Sequence, residues 1–200
     1  RRQNRYSFCV ATFAIGLLLL PIASSQAASP RVSRDLRALY TFEAGRGDTV
    51  KDRSGVRPQL DLKIEKPAAV KWQDGSLVVR SSTRIQSSGP AKKIIDAAKR
   101  WGSVTIEAWV KPQSDSQEGP ARIVSLSAGP SDRNFTLGQD KKRYDVRLRT
   151  TSTSRNGNPS TAAANNSARA VLTHVVFTRD AAGNAKIYIN GRQQISKRVA

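Results

Sequence analysis

The chain has 200 residues, of which 38% are hydrophobic, and a formal charge of +19 at pH 7. This length and composition suffice for one sizeable hydrophobic core, so one globular domain is expected rather than two. The single cysteine excludes an intrachain disulfide framework, and the excess of basic residues favours an acidic polymer as a partner.

The N-terminus has the pattern of a secretory signal peptide. Three arginines at positions 1, 2 and 5 precede an apolar run over residues 8–22, and small residues follow the run. We predict a signal peptide over residues 1–27, cleaved after Ala27, with an uncleaved anchor as the alternative. Cleavage would remove Cys9, leave a short linker at 28–35, and send the protein to the periplasm, the cell surface or the medium.

The first half of the domain shows short alternating segments and one change of period. The change occurs over Ala91–Trp101, where apolar residues recur at helical spacing until Gly102 ends the pattern. Trp101 belongs to the apolar side of this predicted helix. The predicted strands before it are Leu36–Glu43, Leu60–Glu65 and Leu77–Arg80, the last following a turn at Asp74–Gly75, with Trp72 packed nearby.

The clearest strand is Val104–Pro112. Alternation places four apolar residues on its inner face and Thr105, Glu107, Trp109 and Lys111 on the other. Trp109 is unusual there. It is either a stacking platform for a sugar ring or core filler under a loop or at a sheet end, and the second interpretation is favoured.

Strand patterns continue at close spacing after this strand, which is typical of a sandwich or jelly roll. Asn190–Gly191 is a strong hairpin signal because both central residues of its turn need positive φ. The segment 151–167 is low in complexity and predicts a long exposed loop. The predicted strands are Arg122–Ser127, Asn134–Gln139, Tyr144–Thr150, His174–Thr178, Lys186–Ile189 and one starting near Arg192.

Four segments together resemble the laminin-G-like branch of the concanavalin A-like lectin/glucanase superfamily, as found in exported bacterial proteins. They are L-Y-T-F-E with its following glycine turns (Leu39–Gly55), T-I-E-A-W-V-K-P (Thr105–Pro112), T-H-V-V-F-T-R-D (Thr173–Asp180) and I-Y-I-N-G (Ile187–Gly191). The resemblance implies an all-β, two-sheet antiparallel jelly roll over residues 36–200. It also implies further strands after Ala200, so that this domain would be truncated at its C-terminus.

Hydrolases of this superfamily resemble one another in placing acids on one strand face as E-x-D-x-E, and retaining enzymes need two carboxyl groups about 5–5.5 Å apart. Here Glu107 has Thr105 and Trp109 as same-face neighbours. We therefore predict no enzyme activity, although such a motif in a missing segment would revive it. The single histidine, His174, excludes a histidine cluster for zinc, and a hydrogen-bonded strand residue is favoured over a catalytic one.

Calcium is the candidate cofactor, because turn aspartates supply the oxygen ligands that this ion prefers. Asp48 and Asp52 lie in a suitable turn. Asp52 is equally suited to capping that turn with its own side chain.

Basic residues gather around the strand Tyr144–Thr150. Inward Val146 and Leu148 would leave arginines pointing outward, where guanidinium groups can bind sulfate, phosphate or uronate. A solvated strand face is the alternative. The candidate ligand-binding residues are Arg147, Arg149, Arg155, Asn156 and Asn158.

The sequence thus predicts a non-catalytic, secreted, lectin-like module for a glycan, with acidic or sulfated glycans as candidates. The alternative is a structural or protein-interaction module of a larger surface protein. Nucleic acid is not an expected partner, because the chain has no nucleic-acid-binding motif and an export signal precedes it. No stable membrane insertion is expected once that signal is cleaved.

Overall fold

The computed structural model describes residues 33–73 and 75–200. The predicted signal peptide and most of the predicted linker lie outside the described residues. Residues 35–200 form one compact unit that begins at Asp35.

The described residues contain thirteen β-strands, one short 3-10 turn at Pro67–Ala69 and one α-helix, α1, at Lys92–Trp101. The strands are β1 (Thr49–Val50), β2 (Leu62–Ile64), β3 (Val70–Gln73), β4 (Ser76–Val79), β5 (Ile85–Ser87), β6 (Val104–Val110), β7 (Ala121–Ser127), β8 (Arg133–Asp140), β9 (Arg143–Leu148), β10 (Thr161–Ala162), β11 (Thr173–Arg179), β12 (Asn184–Ile189) and β13 (Arg192–Arg198).

Two four-stranded antiparallel sheets dominate the fold. One has the order β10-β9-β8-β7 and is called here the arginine sheet; the other has the order β13-β12-β11-β6 and is called the aromatic sheet. Their inner faces share one buried cluster that includes Leu137 and Val146 from the first sheet and Val175, Phe177 and Ile187 from the second. Alternation along each strand turns polar residues to the two outer faces. The predicted antiparallel β-sandwich of the jelly-roll type is confirmed.

Residues before α1 form two smaller antiparallel sheets, β1-β2-β5 and β3-β4. Trp72 on β3 lies opposite Leu77 on β4, and its indole Nε1 donates a hydrogen bond of 2.8 Å to the carbonyl oxygen of Gly47. The predicted strands Leu60–Glu65 and Leu77–Arg80 are thus present as β2 and β4, with slightly different ends.

The predicted strand Val104–Pro112 and the predicted helix are confirmed as β6 and α1. Ile106 is 6% exposed, and Gly102 ends α1 in the left-handed conformation with φ of 60°. One detail was wrong. Trp101 is 54% exposed, with the Arg100 guanidinium carbon 5.1 Å from the centre of its ring, and so does not join the core.

The predicted strand Leu36–Glu43 is wrong, because this segment pairs with no neighbouring strand in the described structure. Its backbone hydrogen bonds serve a turn instead. The N–H of Leu39 donates to the Asp52 carboxylate at 3.2 Å, and its carbonyl accepts from the N–H of Arg53 at 2.7 Å. Phe42 has a φ of 58°, which interrupts an extended chain.

The segment 151–167 is more ordered than predicted. It contributes β10, which pairs with β9, and Thr161 and Ala163 are 3% and 5% exposed. Small side chains allow this close approach. At Gly157 an added Cβ would lie 2.8 Å from the backbone nitrogen of Leu148 and 2.9 Å from the Cβ of Arg147. The polar composition suggested solvent exposure, but small polar residues here lie against a strand.

The predicted hairpin after β12 is confirmed. Asn190 and Gly191 have φ of 49° and 78°, and they join β12 to β13. The side-chain oxygen of Asn190 accepts a hydrogen bond of 2.9 Å from the backbone N–H of His174, which ties this turn to β11.

Candidate functional site

The outer face of the aromatic sheet presents a stacked pair of rings. Trp109 is 61% exposed, and its ring lies 4.6 Å from the His174 ring, centre to centre, with 15° between their planes. The His174 Nε2 lies 3.0 Å from Glu107 Oε1. The interpretation of Trp109 as core filler is wrong, because the indole is held at the surface. The interpretation of His174 as a hydrogen-bonded strand residue is confirmed.

Strand pairing explains why these residues meet. β6 and β11 are antiparallel and place Trp109 directly opposite His174 and Glu107 opposite Val176. On β11 the side chains of Val175 and Phe177 point into the core, so His174 points outward by alternation. Cross-strand neighbours on one face stand about 4.5–5.5 Å apart, the separation that two stacked rings need.

An open depression of about 270 Å³ lies further along the same outer face. Residues from β6, β11 and β12 line it, together with the turn between β11 and β12. Hydrogen bonds from the backbone and side chain of Asn184 hold Asp180 at that turn and lower its pKa. The lining residues are Ser103, Thr105, Thr178, Arg179, Asp180, Asn184, Lys186 and Tyr188.

This face therefore combines an exposed aromatic surface with hydroxyl, amide, carboxylate and ammonium groups from β6, β11, β12 and the turn between the last two. β6 advances about 3.3 Å per residue, so Trp109 stands about 20 Å from Ser103. Flat rings offer an apolar surface to a ligand, and the polar groups offer hydrogen bonds that fix its orientation.

The predicted arginines lie on or near the arginine sheet, at the far side of the sandwich, and two of them share one acid. Asp132 accepts hydrogen bonds from Arg155 Nη2 at 2.8 Å and from Arg149 Nη1 at 3.2 Å. The Arg155 hydrogen bond is the largest cause of the lowered pKa of Asp132. Two of the predicted ligand-binding cations are thus already partly neutralised.

The other predicted residues are placed differently. Arg147 is largely buried, and its Nε lies 3.7 Å from Asp145 Oδ2, which is too long for a hydrogen bond. Asn156 is half-buried, and its Oδ1 is sealed from solvent with no hydrogen-bond partner among the described residues. Asn158 is exposed, and its backbone N–H donates to Ser154 Oγ at 3.2 Å.

Sequence reasoning missed Arg133 and Arg122. Arg133 stands near both Arg122 and Arg147, whose charges lower its pKa. The pairing of β7 with β8 shifts register between Leu126 and Ser127, so that Ser127 lies opposite Arg133. Such a bulge changes the face to which a side chain points. Strict alternation along β8 would have placed Arg133 on the inner face with Phe135, so the sequence pattern did not indicate its outward position. Arg133 and Arg122 both donate to the carbonyl oxygen of Pro130, at 2.8 Å and 3.2 Å.

The two calcium candidates each have a lysine partner. Asp48 pairs with Lys63 and accepts a hydrogen bond of 2.9 Å from the Thr49 hydroxyl. Asp52 is buried, accepts three backbone N–H groups and pairs with Lys93. In the part of the chain that the structure describes, no three histidine, cysteine, aspartate or glutamate residues come together as a metal site. Calcium at either carboxylate would have to displace a lysine.

Comparison with known families agrees with this geometry. Residues 89–200, more than half of the chain, match the family Laminin_G_3, described as concanavalin A-like lectin/glucanases superfamily. The protein therefore belongs to that superfamily, and its resemblance to laminin-G-like domains is confirmed. Searches of curated proteins and of solved structures each found no match.

The superfamily is consistent with a carbohydrate-binding or structural module, and it also includes glycosidases. Within residues 33–73 and 75–200, no helix combines the length and the apolar character that a membrane span requires.

Proposed function

We propose that this protein is a non-catalytic carbohydrate-binding module that holds a glycan on the outer face of its aromatic sheet. The observation that supports this most directly is the exposure of Trp109 in a fixed orientation. Leaving a large indole 61% in water forgoes the stabilisation that burial would give. A ligand with an apolar C–H face, such as a sugar ring, could recover that stabilisation on binding.

The neighbouring residues support a sugar rather than a purely apolar ligand. Glu107 and His174 border the indole, and the depression beyond them offers hydroxyl and amide groups. Sugars carry many hydroxyl groups that donate and accept, so a site needs both kinds of partner at its edge. The geometry of this face supplies both.

The proposal leaves out catalysis on chemical grounds. Glycoside hydrolysis uses two carboxyl groups on either side of the scissile bond. Glu107 has Thr105 and Trp109 as same-face neighbours on β6 and Val176 opposite it on β11. None of these neighbours provides the second carboxyl group.

We also propose that the protein acts outside the cytoplasm. The basic N-terminus, the apolar run and the small residues before Ala28 support export. Acidic or sulfated glycans are the ligands that the charge favours. Removal of Arg1, Arg2 and Arg5 with the signal peptide would leave 31 basic and 15 acidic residues, a formal charge of +16, which attracts anions over about 10 Å at 0.1 M salt.

The test is binding to a panel of neutral and sulfated polysaccharides, with the wild type compared with Trp109→Ala. We expect the variant to bind at least about tenfold more weakly, since tryptophans at the centre of an interface often contribute about 2 kcal/mol or more, and tenfold corresponds to about 1.4 kcal/mol. Trp101→Ala is the matched control, because Trp101 is similarly exposed but lies on α1. Equal loss in both variants, or in neither, would contradict the proposal.

A second function is favoured by one specific observation. Val171 and Leu172, just before β11, are 55% and 62% exposed. Leu172 lies two residues before His174 in the chain, and exposed apolar patches also serve protein contacts. If the protein is instead a protein-interaction module, Leu172→Ser should weaken capture by a surface-protein partner while glycan panels show no binding to the wild type.

A further inference from the structure

Three arginines come together on the outer face of the arginine sheet, and among the described residues Asp145 is the carboxylate whose charge acts on the central one, Arg133. Arg133 and Arg122 meet at the carbonyl oxygen of Pro130, and Arg147 lies on the neighbouring strand β9. The charges of Arg147 and Arg122 both act on Arg133. Asp145 is the acid among them, and its oxygen stays 3.7 Å from Arg147 Nε.

Several polar atoms of this cluster are buried without a hydrogen bond. Arg133 is 7% exposed, and its Nε and Nη1 have no partner in the described structure. The same holds there for Arg147 Nε. Buried polar groups are nearly always paired, and an unpaired charged donor is the most costly exception.

The electrostatic balance points the same way. Burial lowers the pKa of Arg133, and the neighbouring arginines lower it further. Burial also raises the pKa of Asp145. With three guanidinium groups beside this one carboxylate, the cluster holds more positive charge than Asp145 neutralises.

The segment 154–160 covers the cluster. Gly157 lies on the backbone of Arg147, and the Arg155 carbonyl oxygen accepts a hydrogen bond of 3.0 Å from the backbone N–H of Arg133. The cluster reaches the surface at Arg122, which is exposed.

We propose that Arg122, Arg133 and Arg147 form a binding site for one oxyanion group, a sulfate or a carboxylate. The planar guanidinium fork matches such groups in geometry as well as in charge. For the source of the anion, an acidic or sulfated glycan, this inference rests on the proposed function. The anion site itself stands apart from the aromatic face.

Isothermal titration of the protein with sodium sulfate, with sodium acetate, and with sodium chloride at equal ionic strength tests the site. We expect saturable binding of sulfate or acetate that chloride does not reproduce. Arg147→Gln should weaken it about tenfold or more, whereas Arg192→Gln, an exposed arginine at the start of β13, should leave it unchanged. Equal effects of the two substitutions would overturn the proposal.

Two further measurements keep the test decisive. If Arg147→Gln does not fold, Arg147→Lys takes its place in the titration. In addition, NMR follows the Nε–H signals of the arginines in the wild-type protein as sulfate is added. If sulfate shifts none of these signals selectively, the proposed site is wrong. A sulfated polysaccharide and its desulfated form then identify the source. If sulfate still binds to Trp109→Ala but no glycan binds to the wild type, the anion site is supported and the proposed function is contradicted. If a glycan binds but neither sulfate nor acetate does, the proposed function is supported and the anion site is contradicted.

Discussion

Asp52 is the residue whose replacement should most disturb the region before α1. Its side chain is 0% exposed and pairs with Lys93, whose side chain is 6% exposed. Oδ1 accepts from the backbone N–H groups of Leu39 and Ser54, while Oδ2 accepts from the N–H of Leu60 and from Lys93. One carboxylate therefore connects the segment before β1, the following turn and the helix.

We predict that Asp52→Asn destabilises the protein by about 3–5 kcal/mol, the usual cost of breaking a buried ion pair by removing one partner. An amide offers only one acceptor oxygen. Whichever way it is oriented, its NH2 group faces donors that need an acceptor. If the NH2 group faces Lys93, the buried ammonium keeps only the carbonyl of Val56 and the hydroxyl of Ser54 as partners; if the oxygen faces Lys93, the N–H groups of Leu39 and Ser54 lose their acceptor.

Urea unfolding of the wild type and the variant measures this difference, provided that the slope with denaturant is unchanged. Asp96→Asn is the matched control, because its i,i+4 pair with Lys92 is exposed and should contribute less than about 0.5 kcal/mol. The double variant Asp52→Asn/Lys93→Met should recover part of the loss. A change below about 1 kcal/mol for Asp52→Asn would refute the account of this pair.

The same pair predicts a pH dependence. Burial opposes ionisation of Asp52, but the hydrogen bonds from Lys93, Ser54 and Leu39 prevail and lower its pKa in the folded state. A depressed pKa stabilises the fold fully above the unfolded value of about 3.9, and this contribution is lost as the pH falls towards the folded value. The free energy of unfolding, measured from pH 6 down to pH 2, should thus decline less steeply in Asp52→Asn than in the wild type. An equal decline in the two proteins would contradict this prediction.

Two further predictions concern backbone positions. Gly157→Ala should destabilise the fold by about 1–3 kcal/mol more than Gly55→Ala. The two glycines have φ near +72°, but only at Gly157 would the added Cβ meet backbone atoms. Equal melting temperatures of the two variants would contradict the close packing of segment 154–160. Asn190→Gly keeps the positive φ and should cost about 0.5–1.5 kcal/mol through loss of the acceptor for the His174 N–H, with Asn190→Ala costing more. Urea unfolding measures both, and a larger effect of the glycine variant would refute the second.

Local pattern predicted the elements whose signals lie within a few residues. The alternation in β6, the end of α1 at Gly102 and the turn at Asn190–Gly191 depend on adjacent residues alone. Local pattern misled at Leu36–Glu43, where alternation suggested a strand. There the backbone N–H of Leu39 donates to the carboxylate of Asp52, which is distant in sequence, and is not available for pairing with a neighbouring strand.

The site was harder to predict because it depends on pairing between distant strands. Alternation predicted that Trp109 and Glu107 share a face, but only the register of β6 with β11 brings His174 onto the indole. Arg133 was hidden by a shift in the pairing of β7 with β8. The choice of Arg149 and Arg155 as ligand-binding residues rested on exposure, and Asp132, which pairs with both, follows from the folded structure alone.

The most direct test of the central claim is the affinity of the wild type and of Trp109→Ala for a glycan found in the panel, measured by titration at about 0.5 M salt, where charge attraction is largely screened. Unfolding in urea is measured alongside, and Trp109→Ala should change stability by less than about 1 kcal/mol because the ring is exposed. Salt-resistant binding that falls about tenfold or more in Trp109→Ala, and stays unchanged in Trp101→Ala, is the predicted result. Binding that disappears in salt, or that is unaffected by Trp109→Ala, would contradict the assignment of the aromatic sheet as a glycan-binding face.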